Sequence, residues 1–295
     1  FDEPFSGTVS TYFLSILIHQ HVKVALSGDG ADELFGSYLA HRLSWPIFHY
    51  LRFRRQGKGE FAALSPIDLQ LLAPFDSEAQ FSFLKSLALL EQPAWRMQLA
   101  VFTDQEKQDL LTPEFLEAAV NPCTQGIYED LLLQGSARDP LNITLEVDQR
   151  ELLPNQVLPF VDRLSMAHSI EVRCPYLDYR IIEFANRLPG NFKINNGSVK
   201  YVHKKAMENL LPKDLLQRPK EGFVQPIYSW MQHTLHKWVK NNLSRERLAR
   251  HGLIRPERVA EILREHYAGQ VNHSARIWNL ICFQLWYDLV LNSAS

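Results

Sequence analysis

The sequence predicts an α/β protein, with a parallel sheet near its N-terminal end and a mostly helical body after it. Three observations carry that expectation. Residues 9–17 repeat apolar side chains at helical spacing. Residues 22–26 form a short apolar run. That run opens into the glycine turn Ser27-Gly28-Asp29-Gly30, with a further helix starting near Ala31. Helix, buried strand, glycine turn, helix is the order in which parallel α/β sheets are built, and their ligands sit at the carboxyl ends of the strands.

Taken in chain order, Val9, Tyr12, Phe13, Ile16 and Leu17 fall on one helical face, and Thr8 stands where an N-cap belongs. Residues 22–26 read as a buried strand. After Ala40 the strand signals fade. Residues 113–120 and 154–170 read as helix or loop-helix, and 201–212 as a helix stopped by Pro212. Residues 256–269 carry Pro256 in the first turn and Gly269 at the end, which is good helix punctuation. Residues 274–291 are apolar nearly all round and predict a buried helix. The basic stretch 52–60 reads as a solvated loop. The chain has no internal repeat and no low-complexity tract.

Composition excludes several function classes. With 31 basic and 33 acidic residues the net charge is −2, which gives no electrostatic case for nucleic acid or an anionic membrane. Three widely spaced cysteines, Cys123, Cys174 and Cys282, form neither a C-x-x-C pair nor a zinc pattern and suit a reducing cytoplasm. No uncharged apolar run reaches 18 residues, so no membrane span is expected. The 295 residues suffice for one large domain or two small ones. The first residues have no initiator Met and no signal-peptide pattern, so the expectation is a chain that starts inside a longer product.

The densest chemistry lies in "ALSGDGADELFGSY", residues 25–38, where Asp29, Asp32 and Glu33 follow two glycines. Glycines let backbone N–H groups approach phosphate or ribose oxygens. Carboxylates repel bare phosphate, but they suit a Mg²⁺ ion that shares phosphate oxygens. The loop therefore reads either as a Mg-nucleotide site or as an acidic strand-to-helix turn in which Asp29 or Asp32 caps the helix. In residues 158–189, Asp162, Arg163, Glu171, Arg173, Asp178 and Arg180 interrupt a core-like pattern, which reads as a buried ion-pair network, with His168 structural. In "RPKEGFVQPIYSW", residues 218–230, two prolines and a glycine predict an ordered loop. Lys220 there is either a solvated lysine or a cation placed against charge building on phosphate oxygens.

Three long motifs in order, "VALSGDGADELFGSY", "VDRLSMAHSIEVRCPYLDYRIIEFANRLP" and "KYVHKKAMENLLPKDLLQRPKEGFVQPIYSWM", resemble the synthetase domain of glutamine-dependent asparagine synthetase of the B type. The resemblance covers nearly the whole chain, residues 1–295. It implies an ATP-pyrophosphatase-type parallel sheet, N-terminally truncated, with added helices. It also implies ATP-dependent amidation of aspartate through β-aspartyl-AMP, with Mg²⁺ and with ammonia drawn from glutamine, in a cytoplasmic enzyme whose full-length parent is a homodimer. Carried over by position, Ser27 and Gly28 match ATP contacts, Asp29 a carboxylate needed for the acyl-adenylate, Asp32 a Mg²⁺ ligand, and Lys220 a lysine that stabilises pentavalent phosphorus. Two departures accompany the match. The family's S-G-G-x-D-S pyrophosphate loop and its glutaminase domain with an N-terminal cysteine are absent from these residues, so a C-terminal synthetase portion with an unpaired, adhesive sheet edge is expected. The segment 2–13 is also about two residues short of the family pattern. A paralogous amidotransferase with another acyl substrate, and a non-catalytic partner subunit, are the rival readings.

Overall fold

Two three-residue strands, β1 (Val24–Leu26) and β2 (Glu171–Arg173), pair in parallel with Val24 opposite Glu171, Ala25 opposite Val172 and Leu26 opposite Arg173. The structure is a computed structural model and describes residues 4–55, 90, 94–119, 123–218 and 225–291. Its described residues divide between two compact units, one made of 15–99 and 125–222 and the other of 1–14, 100–124 and 223–295. Among the described residues no helix is long and apolar enough to cross a membrane.

The first unit holds the sheet. The helix α1 (Thr8–His19) precedes β1 in the chain. Thr8 is the first helical residue rather than its cap, and its Oγ1 donates to the Phe5 carbonyl at 2.8 Å. β1 is shorter than predicted and is not buried: Val24 is 42% and Leu26 75% exposed. Among the described residues β2 is its one strand neighbour, so the pair has little to cover it.

After the glycine turn come α2 (Ala31–Phe35) and α3 (Leu39–Arg55). Arg52 to Arg55 thus end a helix instead of opening a solvated loop, and 56–60 lie outside the described residues. The helix Pro140–Arg150 packs along α3. Asp139 caps it, accepting from the Leu141 and Asn142 amides at 2.9 and 3.1 Å, and Pro140 fills the first position. Leu43, Ile47, Leu141 and Leu145 are buried in this unit, and Ser44 Oγ donates to Thr144 Oγ1 at 2.9 Å. A second cluster, Leu34, Phe35 and Ala185, is flanked by Tyr176, Ile181 and Ile182.

Residues 154–189 correct the sequence reading most. They divide into a π-helical turn Leu153–Val157, a helix Leu158–Met166, β2, a 3₁₀ turn Pro175–Leu177 and a helix Tyr179–Arg187. The charges there are not a buried network. Asp162 and Arg163 are exposed, Arg173 pairs with Glu171 at 2.8 Å with both side chains more than half exposed, and Arg180 grips Asp178 at 2.7 Å near the surface. Strand alternation sends Glu171 and Arg173 to one side and Val172 to the other. Exposed pairs of this kind contribute little to stability. The helix predicted over 201–212 ends early, at Ala206.

The other unit is helical around one apolar cluster, in which Met231, Val239, Leu248, Val259 and Ile277 are each no more than 1% exposed. The helix Pro256–Tyr267 has its proline in the first turn, and Gly269 follows at φ +69°, as the punctuation predicts. The last helix is Ser274–Trp286, continued by a π-helical turn Tyr287–Leu291. Only one of its faces is buried, through Ile277, Leu280, Ile281 and Gln284, and Leu289 is 73% exposed, so burial all round is not what the chain adopts. Residues 227–232 of the predicted ordered loop are helical, and 219–224 lie outside the described residues.

Candidate functional site

The chain leaves the sheet at Ser27, whose amide donates to the Arg173 carbonyl at 2.9 Å. Ser27 Oγ donates to Asp29 Oδ2 and accepts from the Asp29 amide at 3.1 Å, which closes a tight local turn. The two glycines of this turn do different things. Gly30 has φ +88°, and a Cβ there would lie 2.3 Å from Leu177 Cδ2, so left-handed backbone and close packing both demand glycine. At Gly28 a Cβ would meet nothing within 4 Å, so its surroundings are open. Ser27, Gly28 and Asp29 therefore stand together at the carboxyl end of β1.

The next carboxylate, Asp32, lies in the first turn of α2. Its Oδ1 accepts from Ser37 Oγ and lies 2.7 Å from Lys200 Nζ. Lys200 adopts a left-handed backbone at φ +53°, uncommon for a residue with a side chain, just before the helix Tyr201–Ala206. Such strain persists where surrounding structure enforces it, and it clusters at functional sites. Neither capping role foreseen for the acidic residues is seen at α2, whose flanking residue is Gly30 and carries no side-chain cap.

Glu33 is fully buried and accepts from Tyr38 OH at 2.6 Å. Burial pushes its carboxyl pKa up against that hydrogen bond, and Oε2 has no hydrogen-bond partner among the described residues. Burial and the adjacent Glu33 charge also raise the Tyr38 phenol. Below this layer His41, fully buried, accepts the Ser37 and Tyr38 amides on Nδ1 at 3.1 and 3.3 Å. Two amide donors on Nδ1 leave the ring proton on Nε2, which donates to Asp148 Oδ2 at 2.7 Å. Arg96 holds the other oxygen of Asp148. Burial lowers the His41 pKa, in the same sense as the two amides that donate to Nδ1.

At the end of β2, burial raises the Cys174 thiol pKa; the Asp29 charge adds to this and a Ser27 hydrogen bond opposes it. Cys174, Leu26, Asp178 and Arg180 help line an open cavity of about 590 Å³. The Arg180 side chain and amide hold the Asp178 carboxyl down, to about 2. Lys220 lies outside the described residues. Among the described residues no group of three or more His, Cys, Asp or Glu is placed to hold a metal.

Sequence reasoning missed Lys200, His41, Asp148 and Arg96. Only a spatial fold brings Lys200 to Asp32 or Asp148 to His41, and no local pattern marks either pair. Gly30 had a local signal, its place before the helix, but which of two glycines bends left-handed needed the packing of Leu177.

The family model for asparagine synthase matches residues 1–288. The chain belongs to the asparagine synthase family. It is 27% identical over 297 aligned residues to asparagine synthetase [glutamine-hydrolyzing] 1 of Bacillus subtilis, covering 98% of this chain and 44% of that protein. It is 30% identical to a putative asparagine synthetase [glutamine-hydrolyzing] of Mycobacterium bovis, over 98% of this chain and 43% of that protein. It is also 21% identical to a Gibberella zeae protein named amidase chry2, over 80% of this chain and 37% of that one. The chain thus spans less than half the length of these relatives.

Proposed function

We propose that this chain carries the synthetase chemistry of a glutamine-hydrolysing asparagine synthetase. In the first step a β-carboxylate oxygen of aspartate attacks the α-phosphorus of ATP. A P–O bond forms, the α–β bridging bond breaks, and pyrophosphate leaves. Ammonia released from glutamine then attacks the acyl carbon of β-aspartyl-AMP. A C–N bond forms, the C–O bond to AMP breaks, and a proton is lost.

The observation that carries this reading is the Ser27–Asp29 turn at the carboxyl end of a parallel strand pair, followed one helical turn on by Asp32 with a lysine on it, in a chain of this family. Ser27 and Gly28 contact the nucleotide, where the open surroundings of Gly28 leave room for a ligand. Asp29 orients the acyl-phosphate end of the site, and Lys220 opposes charge on phosphorus. The hard oxygen donors of Asp32 fit Mg²⁺, which takes one or two carboxylates and completes its shell with phosphate oxygens. When bound, such an ion neutralises polyphosphate charge. Until then Lys200 balances Asp32.

The test is mass-spectrometric detection of AMP and asparagine from ATP, aspartate and ammonium. AMP formed only when aspartate is present supports the proposal. The rival reading is an amidotransferase with a different acyl substrate. AMP formed with another carboxylic acid and not with aspartate selects that rival. ATP bound with no AMP formed from any acid overturns both.

A further inference from the structure

The turn between α2 and α3 does more than join two helices. It spans Gly36 to Tyr38, and both of its side chains reach back to the acidic residues of α2. Ser37 Oγ donates to Asp32, and Tyr38 OH donates to Glu33 at 2.6 Å. The backbone amides of the same two residues are fixed from below by one ring atom, His41 Nδ1, at 3.1 and 3.3 Å. The ring is then held from its far side, where Nε2 donates to Asp148 at 2.7 Å and Arg96 holds the second oxygen of Asp148. The turn is also tight. Gly36 has φ +76°, and a Cβ there would lie 3.1 Å from the Ile194 side chain, so the backbone of the turn passes close to that side chain. A helix N-terminus needs partners for its leading amides, but that need alone does not call for a buried His–Asp–Arg chain, because a Ser or Asp cap supplies them.

We propose that His41 is a positioning residue: with Asp148 and Arg96 it fixes the Gly36–Tyr38 turn, and through Ser37 it fixes the carboxylate of Asp32 for a metal-bound nucleotide. The inference rests on the nucleotide reading of Asp32. Its steps are local. His41 sets the turn, the turn sets the Ser37 hydroxyl, and the hydroxyl holds one oxygen of Asp32 while Lys200 approaches the same oxygen at 2.7 Å. Side chains that support a ligand-bearing group in this way commonly cost about 10–100-fold in affinity when removed.

The experiment measures two quantities on the full chain. One is hydrogen exchange of individual backbone amides. The other is affinity for ATP, with Mg²⁺ and with the metal chelated by EDTA. The variants are Ser37→Ala, His41→Phe and His41→Gln. Ser37→Ala is expected to weaken Mg·ATP binding threefold to tenfold, to leave metal-free ATP binding unchanged, and to leave the Ser37-position and Tyr38 amides protected. His41→Phe keeps the ring volume and removes both polar contacts. It is expected to speed exchange at residues 37 and 38 at least tenfold over the rest of α3 and to weaken Mg·ATP binding at least as much as Ser37→Ala. His41→Gln restores an acceptor and recovers part of both losses.

Unchanged Mg·ATP affinity in Ser37→Ala overturns the proposal, as does unchanged exchange at 37 and 38 in His41→Phe. An equal loss of ATP affinity with and without metal overturns it as well, because that marks general damage. If His41→Phe does not fold, Ser37→Ala still decides the Mg·ATP point and His41→Gln decides the exchange point, where exchange at 37 and 38 no faster than in the wild type overturns the proposal. If the wild-type chain binds no Mg·ATP, the proposed function fails and the proposal fails with it. The exchange data then say only whether His41 holds the turn.

Discussion

The turn after β1 and the apolar cluster of the other unit are built on opposite principles. In the cluster, Met231, Val239, Leu248, Val259 and Ile277 are buried without a polar atom among their side chains apart from the thioether. Such packing is stabilising and chemically silent. Around the turn, a buried carboxylate, a buried histidine, a left-handed lysine and two left-handed glycines are crowded into short elements. Each of those features costs free energy unless its neighbours compensate it. The contrast teaches where to look for function: substitutions in the cluster should act on stability, and substitutions of the turn's open or ligand-facing residues should act on ligand and rate.

The largest effect that sharpens this contrast is expected at Lys220. Lys220→Ala should cut adenylation on the order of 100-fold or more while ATP still binds and the melting temperature is unchanged, because a lost transition-state cation acts on rate alone. Steady-state kinetics beside calorimetry read both. A matching loss of stability would place Lys220 with the structural residues.

Next comes Ile277, which is 0% exposed in the cluster. Ile277→Ala should destabilise by about 2–4 kcal/mol in denaturant unfolding, leaving ATP affinity of the folded fraction as it was.

Lys193 breaks the pattern in the first unit, because it is a buried cation away from the turn. Burial lowers its pKa to about 8, partly offset by the Asp139 charge. The folded pKa lies below the unfolded value of 10.5, so below pH 8 both states are protonated and the folded state bears the full desolvation cost. As pH rises from about 8 to 10.5 the folded lysine loses its proton first and that cost is relieved, so stability from this group rises with pH. Lys193→Met should raise stability at pH 7 by up to about 3 kcal/mol and flatten that rise, as unfolding curves across the range would reveal.

The smallest test compares the two glycines of the turn. Gly30→Ala should destabilise by about 1–2 kcal/mol, from φ +88° and the approach of Leu177. Gly28→Ala should change stability by less than about 0.5 kcal/mol and lower ATP affinity instead, since open space surrounds it. Equal stability losses at both would remove the distinction drawn between them.

Much of this contrast was legible in the sequence, and its limits have physical causes. The helix Thr8–His19, the strand opening at 24, the Ser-Gly-Asp-Gly turn and the helix from Pro256 all carry local signals of period or punctuation. β2 does not. Its three residues are Glu-Val-Arg, too short and too charged for a strand pattern, and they become a strand only because β1 lies alongside. Exposure of β1 contradicts the buried strand that its apolar run predicts, since sheet cover is a tertiary property. The charges of 158–189 looked buried because apolar residues surround them in sequence, yet short elements turn them outward. At the site, Ser27, Gly28, Asp29 and Asp32 could be named from one motif. Lys200 meets Asp32, and Asp148 meets His41, across long stretches of chain.

The most direct measurement is pyrophosphate release from Mg·ATP by the chain, with and without aspartate, in the wild type and in Asp32→Ala. Aspartate-dependent release that falls at least 100-fold in a stably folded Asp32→Ala is the predicted result. Release that ignores aspartate, or that survives the loss of Asp32, would contradict the assignment of the turn as the seat of adenylation.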